Sequence, residues 1–244
     1  MVKKFIGVLS EEKIRRYSAV PLSSVRVIRQ DKLSRMDLGE NGSLLVMLIP
    51  YYVSGEKRNI SVYAVPRDYH LYFSSLGEKL VSSLKEDFPG FVFRTAADNS
   101  PVDEVDAAVR SGLGFFGDNG LFISPEYGSF VFIGGIYSDM PCENYGIPSA
   151  VPGRSECSHC GKCRKACPGD PSDKKIGCLS AITQKKGTLT SAEAELIRKT
   201  GTAWGCDICQ QVCPFNTGVK DTEISFFLES RTPYLTYDFV KNMS

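Results

Sequence analysis

All nine cysteines of this chain lie beyond residue 141, and eight of them fall between residues 157 and 213. The first group reads Cys157-x2-Cys160-x2-Cys163-x3-Cys167-Pro168. Two-residue gaps let three thiolates from one tight loop reach three irons of a single cubane, and the fourth cysteine, before a proline, serves a second cluster. The second group, Cys206-x2-Cys209-x3-Cys213-Pro214, has the same ending but lacks one early cysteine, which Cys178 is free to supply. The spacing therefore predicts two [4Fe–4S] clusters that share ligands. One takes Cys157, Cys160, Cys163 and Cys213; the other takes Cys167, Cys178, Cys206 and Cys209. Cys142 is left over as a free thiol. Zinc is the competing metal, but structural zinc favours two well-separated Cys-x2–4-Cys pairs, and three cysteines in a run of seven residues suit it poorly. His159, inside the first loop, reads as an exposed loop side chain.

A disulfide framework is the other use of clustered cysteines, and it suits short exported chains. Here the basic start MVKKFIGVL gives way at once to acidic residues without a small-residue cleavage site, so no signal peptide is expected. No apolar run approaches the roughly 20 residues needed to span a bilayer. A cytoplasmic location with no membrane partner is expected. The formal net charge of +1 excludes a global field that would demand nucleic acid or an anionic surface.

The expected fold class is α+β: an N-terminal mixed α/β core followed by a C-terminal ferredoxin-like double [4Fe–4S] module. Boundaries fall at 1–140, 141–222 and a 223–244 extension. SVRVIRQ (24–30) and SLLVMLIPYYV (43–53) are rich in β-branched and aromatic residues and read as strands. Tyr69, Phe73, Leu76, Leu80 and Leu84 recur at helical spacing over 69–86, behind Asp68 as a candidate cap. FVFRTA (91–96) reads as a strand and 101–111 as a helix ending at Gly112. LFISP and SFVFIGGIYSD flank PEYG as a hairpin. The segment 141–178 has no apolar run able to build a core and needs metal to order it. Residues 191–200 form a helix with Ser191 as its cap.

Several stretches outside the cysteines resemble the epoxyqueuosine reductase family, the cobalamin and iron–sulfur enzymes that complete queuosine in tRNA. They are Tyr63-Ala64 with Arg67-Asp68-Tyr69-His70; Asp98-Asn99-Ser100-Pro101; Arg110-x-Gly112-Leu113-Gly114-Phe115 through Asn119 and PEYGSFVFIG; Cys178-Leu179-Ser180 with Thr183-Gln184; and Gly205-Cys206-Asp207-x-Cys209-Gln210-x-Val212-Cys213-Pro214. The resemblance covers about residues 45–220, and it implies a short form lacking the family's C-terminal helical repeats.

What the resemblance implies is a cobalamin-binding N-terminal core, with the clusters relaying electrons to the cobalt. The chain holds two histidines, His70 and His159, and no Asp-x-His-x-x-Gly motif, so a cobalamin here would lack a histidine lower ligand. By family position, Asp98 is the general acid for the departing epoxide oxygen. The residues alone equally allow Asp98 to cap a turn. Candidate cobalamin neighbours by the same carry-over are Ser61, Tyr63, Asp98, Asn119, Ile123, Ser124, Ile133, Ser180, Gln184 and Asp207. Their bland alternatives are strand core for Ile123 and Ile133 and loop hydrogen bonding for Ser180 and Gln184. Asp103, Glu104 and Asp106 read as solvated carboxylates on a helix. Gly112, Gly114 and Gly117 allow close backbone approach to a corrin or are turn residues; the strand that a dinucleotide fingerprint requires does not precede them.

The implied partners are a tRNA substrate and an external electron donor such as ferredoxin or flavodoxin, with the chain a monomer. Basic residues outnumber acidic ones over 153–186, a patch suited to phosphates or an acidic donor. Two other function classes remain: a dehalogenase-like cobalamin reductase acting on a small molecule, and a ferredoxin-type electron carrier. The long N-terminal half argues against the carrier, because two clusters alone need far fewer residues.

Overall fold

The computed structural model describes residues 3–39, 41–147, 156–169 and 177–242. These group into two compact units: residues 1–50 with 69–157, and residues 51–68 with 158–244. The units cut the chain differently from a linear split at residue 140, because 51–68 belongs with the cysteine-rich part.

The first unit runs α1 (Lys3–Glu11), β1 (Arg16–Pro21), α2 (Gln30–Ser34), β2 (Ser43–Pro50), α3 (Tyr69–Asp87), β3 (Phe93–Ala96), α4 (Glu104–Arg110), β4 (Phe115–Phe116), β5 (Phe122–Ile123) and β6 (Val131–Ser138). Four strands form an antiparallel sheet in the order β1-β2-β6-β3, and β4 pairs with β5 separately. All eight residues of β2 are buried, which explains why its sequence is an unbroken apolar run rather than an alternation. Leu44, Val46 and Leu48 join one core with Val102, Ala107, Ala108 and Tyr137. Leu45, Met47 and Ile49 alternate to the opposite face. There Phe73 of α3 lies against Gly134, which is paired with Met47. On α3, Phe73, Leu76, Leu80 and Leu84 are buried with Tyr72, whereas Tyr69 is half-buried and stacks on Phe132 with centroids 4.0 Å apart.

Two expected elements differ. SVRVIRQ is not a strand, and β1 lies upstream of it. After Pro21 the chain makes a 3-10 turn. The Arg26 amide then donates to Asp106 Oδ2 at 2.9 Å, and the Ile28 and Arg29 amides both donate to the Pro101 carbonyl. These partners satisfy the segment without a ladder, leaving only an isolated bridge between Val27 and Val102. The hairpin around PEYG is likewise absent. Ser124 Oγ accepts the Glu126 and Tyr127 amides, closing a tight turn with a single Ser124–Gly128 bridge, and β5 and β6 then join different sheets.

The second unit contains α5 (Lys162–Ala166), α6 (Leu179–Thr183), α7 (Ser191–Thr200), α8 (Ile208–Gln211), α9 (Ser225–Leu228) and α10 (Tyr237–Lys241). Thr190, rather than Ser191, caps α7, in a capping box with Glu193. Among the described residues no helix is long and apolar enough to cross a membrane.

A Cβ built on Gly134 lies 2.2 Å from the Phe73 ring. Gly134→Ala is therefore expected to destabilise the first unit by about 1–3 kcal/mol through overpacking. The measurement is a lower urea midpoint at unchanged slope.

Candidate functional site

In the second unit, the short helices α5 and α8 pack against each other and carry Cys163 and Cys209. Both cysteine motifs end alike. Cys167 (φ −65°, ψ 122°) and Cys213 (φ −73°, ψ 125°) are extended, each before a proline that disfavours helical geometry at the preceding residue. The proline thus ends helical geometry and leaves a non-helical cysteine.

Cys167, Cys178, Cys206 and Cys209 are gathered closely enough to act on one another's ionisation. Burial first, then the negative fields of Cys206, Cys178, Cys167 and Cys163, pushes the Cys209 thiol up to about 12. Burial likewise raises Cys206, followed by Asp207, Cys178 and Cys167. Desolvated thiols that repel each other's charge are relieved by a cation, which deprotonates its thiol ligands outright. The donor set therefore fits metal. Cys160 is fully exposed and its pKa is lowered, first by the Lys162 amide. Cys157 closes the first unit in chain order. No cysteine among the described residues is in a disulfide, and the half-buried Cys142 has its pKa raised by burial.

Beside these cysteines, the Asp207 carboxylate is 3% exposed and fully engaged. Oδ1 accepts the Ser61 hydroxyl in a short hydrogen bond and Gln210 Nε2 at 3.2 Å. Oδ2 accepts the Val62 amide at 2.8 Å and Arg58 Nη2 at 3.3 Å. Gly205, at φ +67°, leaves no room for a side chain, because a Cβ would lie 2.5 Å from that of Ser61. Its amide donates to Thr183 Oγ1 at 2.9 Å, while Tyr63, half-buried, bonds to the Trp204 side chain. Gln184 Nε2 donates to the Ser180 carbonyl and hydroxyl, each at 3.0 Å. Ser61, Tyr63, Ser180, Gln184 and Asp207 are thus assembled with the second cysteine group. Of the basic residues over 153–186, Lys162, Arg164 and Lys165 are exposed on α5 and Lys185 pairs with Glu193; Arg154, Lys174 and Lys175 lie outside the described residues.

In the first unit, Asp98 follows β3 with a left-handed backbone (φ +61°), and its side chain is 69% exposed, with Oδ2 3.7 Å from His70 Nε2. The N-cap of α4 is Asp103, which accepts the Asp106 amide and pairs with Arg26. Asp106 pairs with Arg110 at 2.8 Å. Glu104 departs from a solvated helix face. It faces an apolar layer including Leu44, Val46, Val102, Ile133 and Tyr137, and its Oε1 is buried without a hydrogen-bond partner among the described residues. Burial raises its pKa to about 7; the Asp98 amide, donating to it, opposes the rise and the Asp98 charge adds to it. The signal for this lay in the helical period, since Glu104 shares a stripe with the buried Ala107, Ala108 and Ser111.

Ile123 and Ser124 are buried and Ile133 is half-buried beside the α4 core. Asn119 Oδ1 accepts the Leu121 amide at 3.2 Å, but its Nδ2 is buried with no partner among the described residues. A buried orphan donor is costly unless a ligand accepts from it. Asn119 thus fits a bound group carrying amide or phosphate oxygens, as a cobalamin does.

Residues 156–216 match the 4Fe-4S double cluster binding domain. The epoxyqueuosine reductase of Francisella cf. novicida is 36% identical over 186 residues, which cover 71% of this chain and 50% of that one. The chain is a homologue of the epoxyqueuosine reductases. It spans about half the length of the curated relatives it matches. The fold agrees with this family. A crystal structure of epoxyqueuosine reductase with an epoxyqueuosine-modified tRNA-Tyr stem loop superposes with a TM-score of 0.72 at 20% identity, covering 95% of this chain and 68% of that one. A reductive dehalogenase structure, described in connection with B12-dependent dehalogenation, gives 0.53 at 14% identity over 92% of this chain and 33% of that one.

Two outcomes test this geometry. Removing Asp207 leaves the Ser61 hydroxyl and the Val62 amide without their acceptor and takes a partner from the part-buried Arg58, so Asp207→Ala is expected to cost about 1–3 kcal/mol, with amide exchange rising first across 58–62. Because folding raises the Glu104 pKa from 4.5 to about 7, its contribution to stability is full below 4.5 and lost as pH rises through about 7. Glu104→Gln should flatten that decline in melting temperature.

Proposed function

We propose that this chain is an oxidoreductase that reduces epoxyqueuosine to queuosine in tRNA, using a cobalamin and two [4Fe–4S] clusters. The observation that carries this reading is the conjunction, in a homologue of that family, of the double-cluster cysteine set with Asp98 and the unsatisfied Asn119 amide. In this reading the cluster ligands are Cys157, Cys160, Cys163 and Cys213, and Cys167, Cys178, Cys206 and Cys209. When bound, the cobalamin supplies a low-potential cobalt that delivers electrons to the epoxide.

The chain's own residues bind, orient and protonate. Turning an epoxide into an alkene breaks two C–O bonds and consumes two electrons and two protons, releasing the oxygen as water. Asp98 is the acid that delivers one of those protons; its side chain is exposed, with Oδ2 3.7 Å from His70 Nε2, and can reach a bound substrate. Asn119 donates to the cofactor through Nδ2. Ile123, Ser124 and Ile133 support that face of the first unit. Ser61, Tyr63, Ser180 and Gln184 are further cofactor neighbours by family position, with Asp207 holding Ser61 in place. The electron donor is an external ferredoxin or flavodoxin, and the protein works as a cytoplasmic monomer.

The likeness to a dehalogenase described with B12 chemistry favours a second reading, a related reductase of a small molecule. Anaerobic purification with iron and sulfide assays, followed by cobalamin titration, tests both at once; absence of corrinoid binding removes both. If cobalamin binds, epoxyqueuosine-containing tRNA is expected to be converted, and Asp98→Asn to lower kcat by about 10²–10⁴-fold. Conversion of a halogenated aromatic but not of that tRNA selects the second reading. Cys178→Ala is expected to lower iron content and alter the spectrum of one cluster while sparing the other.

A further inference from the structure

Residues 51–68 and the second cysteine group meet through charge as well as through hydrogen bonds. Asp207 follows Cys206 directly and stands two residues before Cys209 on α8. Four donors converge on its carboxylate: the Ser61 hydroxyl, the Val62 amide, Gln210 Nε2 and Arg58 Nη2. The first three are neutral. They occupy lone pairs but leave the negative charge in place, and with Asp207 only 3% exposed, water screens little of it. Arg58, 18% exposed and 3.3 Å away, brings the cancelling charge. The carboxylate close to Arg58 in sequence, Glu56, is taken by Arg231 in a bidentate pair at 2.7 Å, which leaves the Arg58 charge to Asp207.

We propose that Arg58 sets the reduction potential of the cluster held by Cys206 and Cys209, acting through Asp207: it cancels the charge of the buried carboxylate and so keeps that cluster reducible. One electron from a low-potential iron–sulfur or flavin donor adds a negative charge to a site already negative from its four thiolates. A bare carboxylate fixed next to a ligand opposes that addition, and net charge is one of the levers that set a cluster's potential. The ion pair removes the opposition, while Asp207 keeps its hydrogen bonds and still ties residues 58–62 to the cysteine motif. Arg58 is thus a positioning residue that works by charge. The inference rests on the cluster reading of the cysteines; it does not depend on which substrate receives the electrons.

The test is an EPR-monitored redox titration of the whole protein, with its clusters reconstituted anaerobically and its iron and sulfide counted first. Arg58→Gln keeps a donor amide and removes the charge. The one-electron reduction equilibrium of one cluster is then expected to fall about tenfold, which is about 59 mV, while the other cluster holds its potential. Arg58→Lys keeps the charge and is expected to match wild type. Asp207→Asn removes the opposing charge and is expected to raise the same potential, and combining it with Arg58→Gln should return the value toward wild type. Unchanged potential in Arg58→Gln, equal falls in Arg58→Gln and Arg58→Lys, or a fall in Asp207→Asn each overturns the proposal. Should Arg58→Gln or Asp207→Asn fail to load iron, the other decides. Wild-type protein that takes up no iron and sulfide removes the cluster reading and the proposal with it; full iron and sulfide with unmoved potentials removes the proposal alone.

Discussion

The second unit depends on one buried carboxylate. Asp207 is almost sealed from solvent and spends both oxygens on residues 58, 61, 62 and 210. It fastens a stretch that follows β2 to the cysteine motif near the end of the chain. Other ties run alongside it. Ile60 bridges to Trp204, Arg231 forms a bidentate pair with Glu56 at 2.7 Å, and Asn59 exchanges hydrogen bonds with Leu235. Buried carboxylates are tolerated only when paired and hydrogen-bonded, and Asp207 meets both conditions. Because its partners come from four positions, losing it exposes several unsatisfied groups at once, which makes it a constraint on geometry more than a source of net stability.

The first unit rests on a different constraint, the two-sided burial of β2 beside β6. Strands buried on both faces must fit helices above and below, and β6 does so with Gly134 and Gly135. The first admits the Phe73 ring, and the second lies close to Leu44 and the Ala96 carbonyl. Glycine normally weakens a strand interior. Here the lost propensity is offset by close packing of α3 and by the ladder to β2 on one side and β3 on the other. That sheet carries β3, and β3 leads directly into the Asp98 turn.

What the sequence disclosed follows the same division. The double-cluster domain was legible because cysteine spacing is dictated by the size of an iron–sulfur cubane and hardly by the rest of the chain. β2 and α3 were legible because hydrophobic period and length agree. SVRVIRQ was misleading because its β-branched composition says nothing of where its amides find acceptors, and those acceptors, Pro101 and Asp106, are about 70–80 residues away in sequence. Glu104 was misjudged for a related reason. Its charge argues for solvent while its register, in line with Ala107 and Ala108, argues for the core. Register prevailed, and the side chain adjusted by holding its proton more tightly. Arg58 was passed over because no local pattern marks a residue whose only distinction is a partner 149 positions away.

The two units also differ in how much apolar material holds them. The first buries long runs of leucine, isoleucine and phenylalanine on both faces of a sheet. In the second, α5 and α7 bury no residue, and the core is confined to a few side chains such as Ile60, Val62, Leu179, Ile182 and Phe227. Within that sparse setting the fold crowds thiols whose charges oppose one another. A protein without metal gains nothing from that arrangement, since each thiol is desolvated and its ionised form repelled. With iron bound the same crowding becomes ligation, and the free energy of binding becomes free energy of folding. The scarcity of core and the density of cysteine are therefore one feature: the metal does in this unit what the doubly covered sheet does in the other.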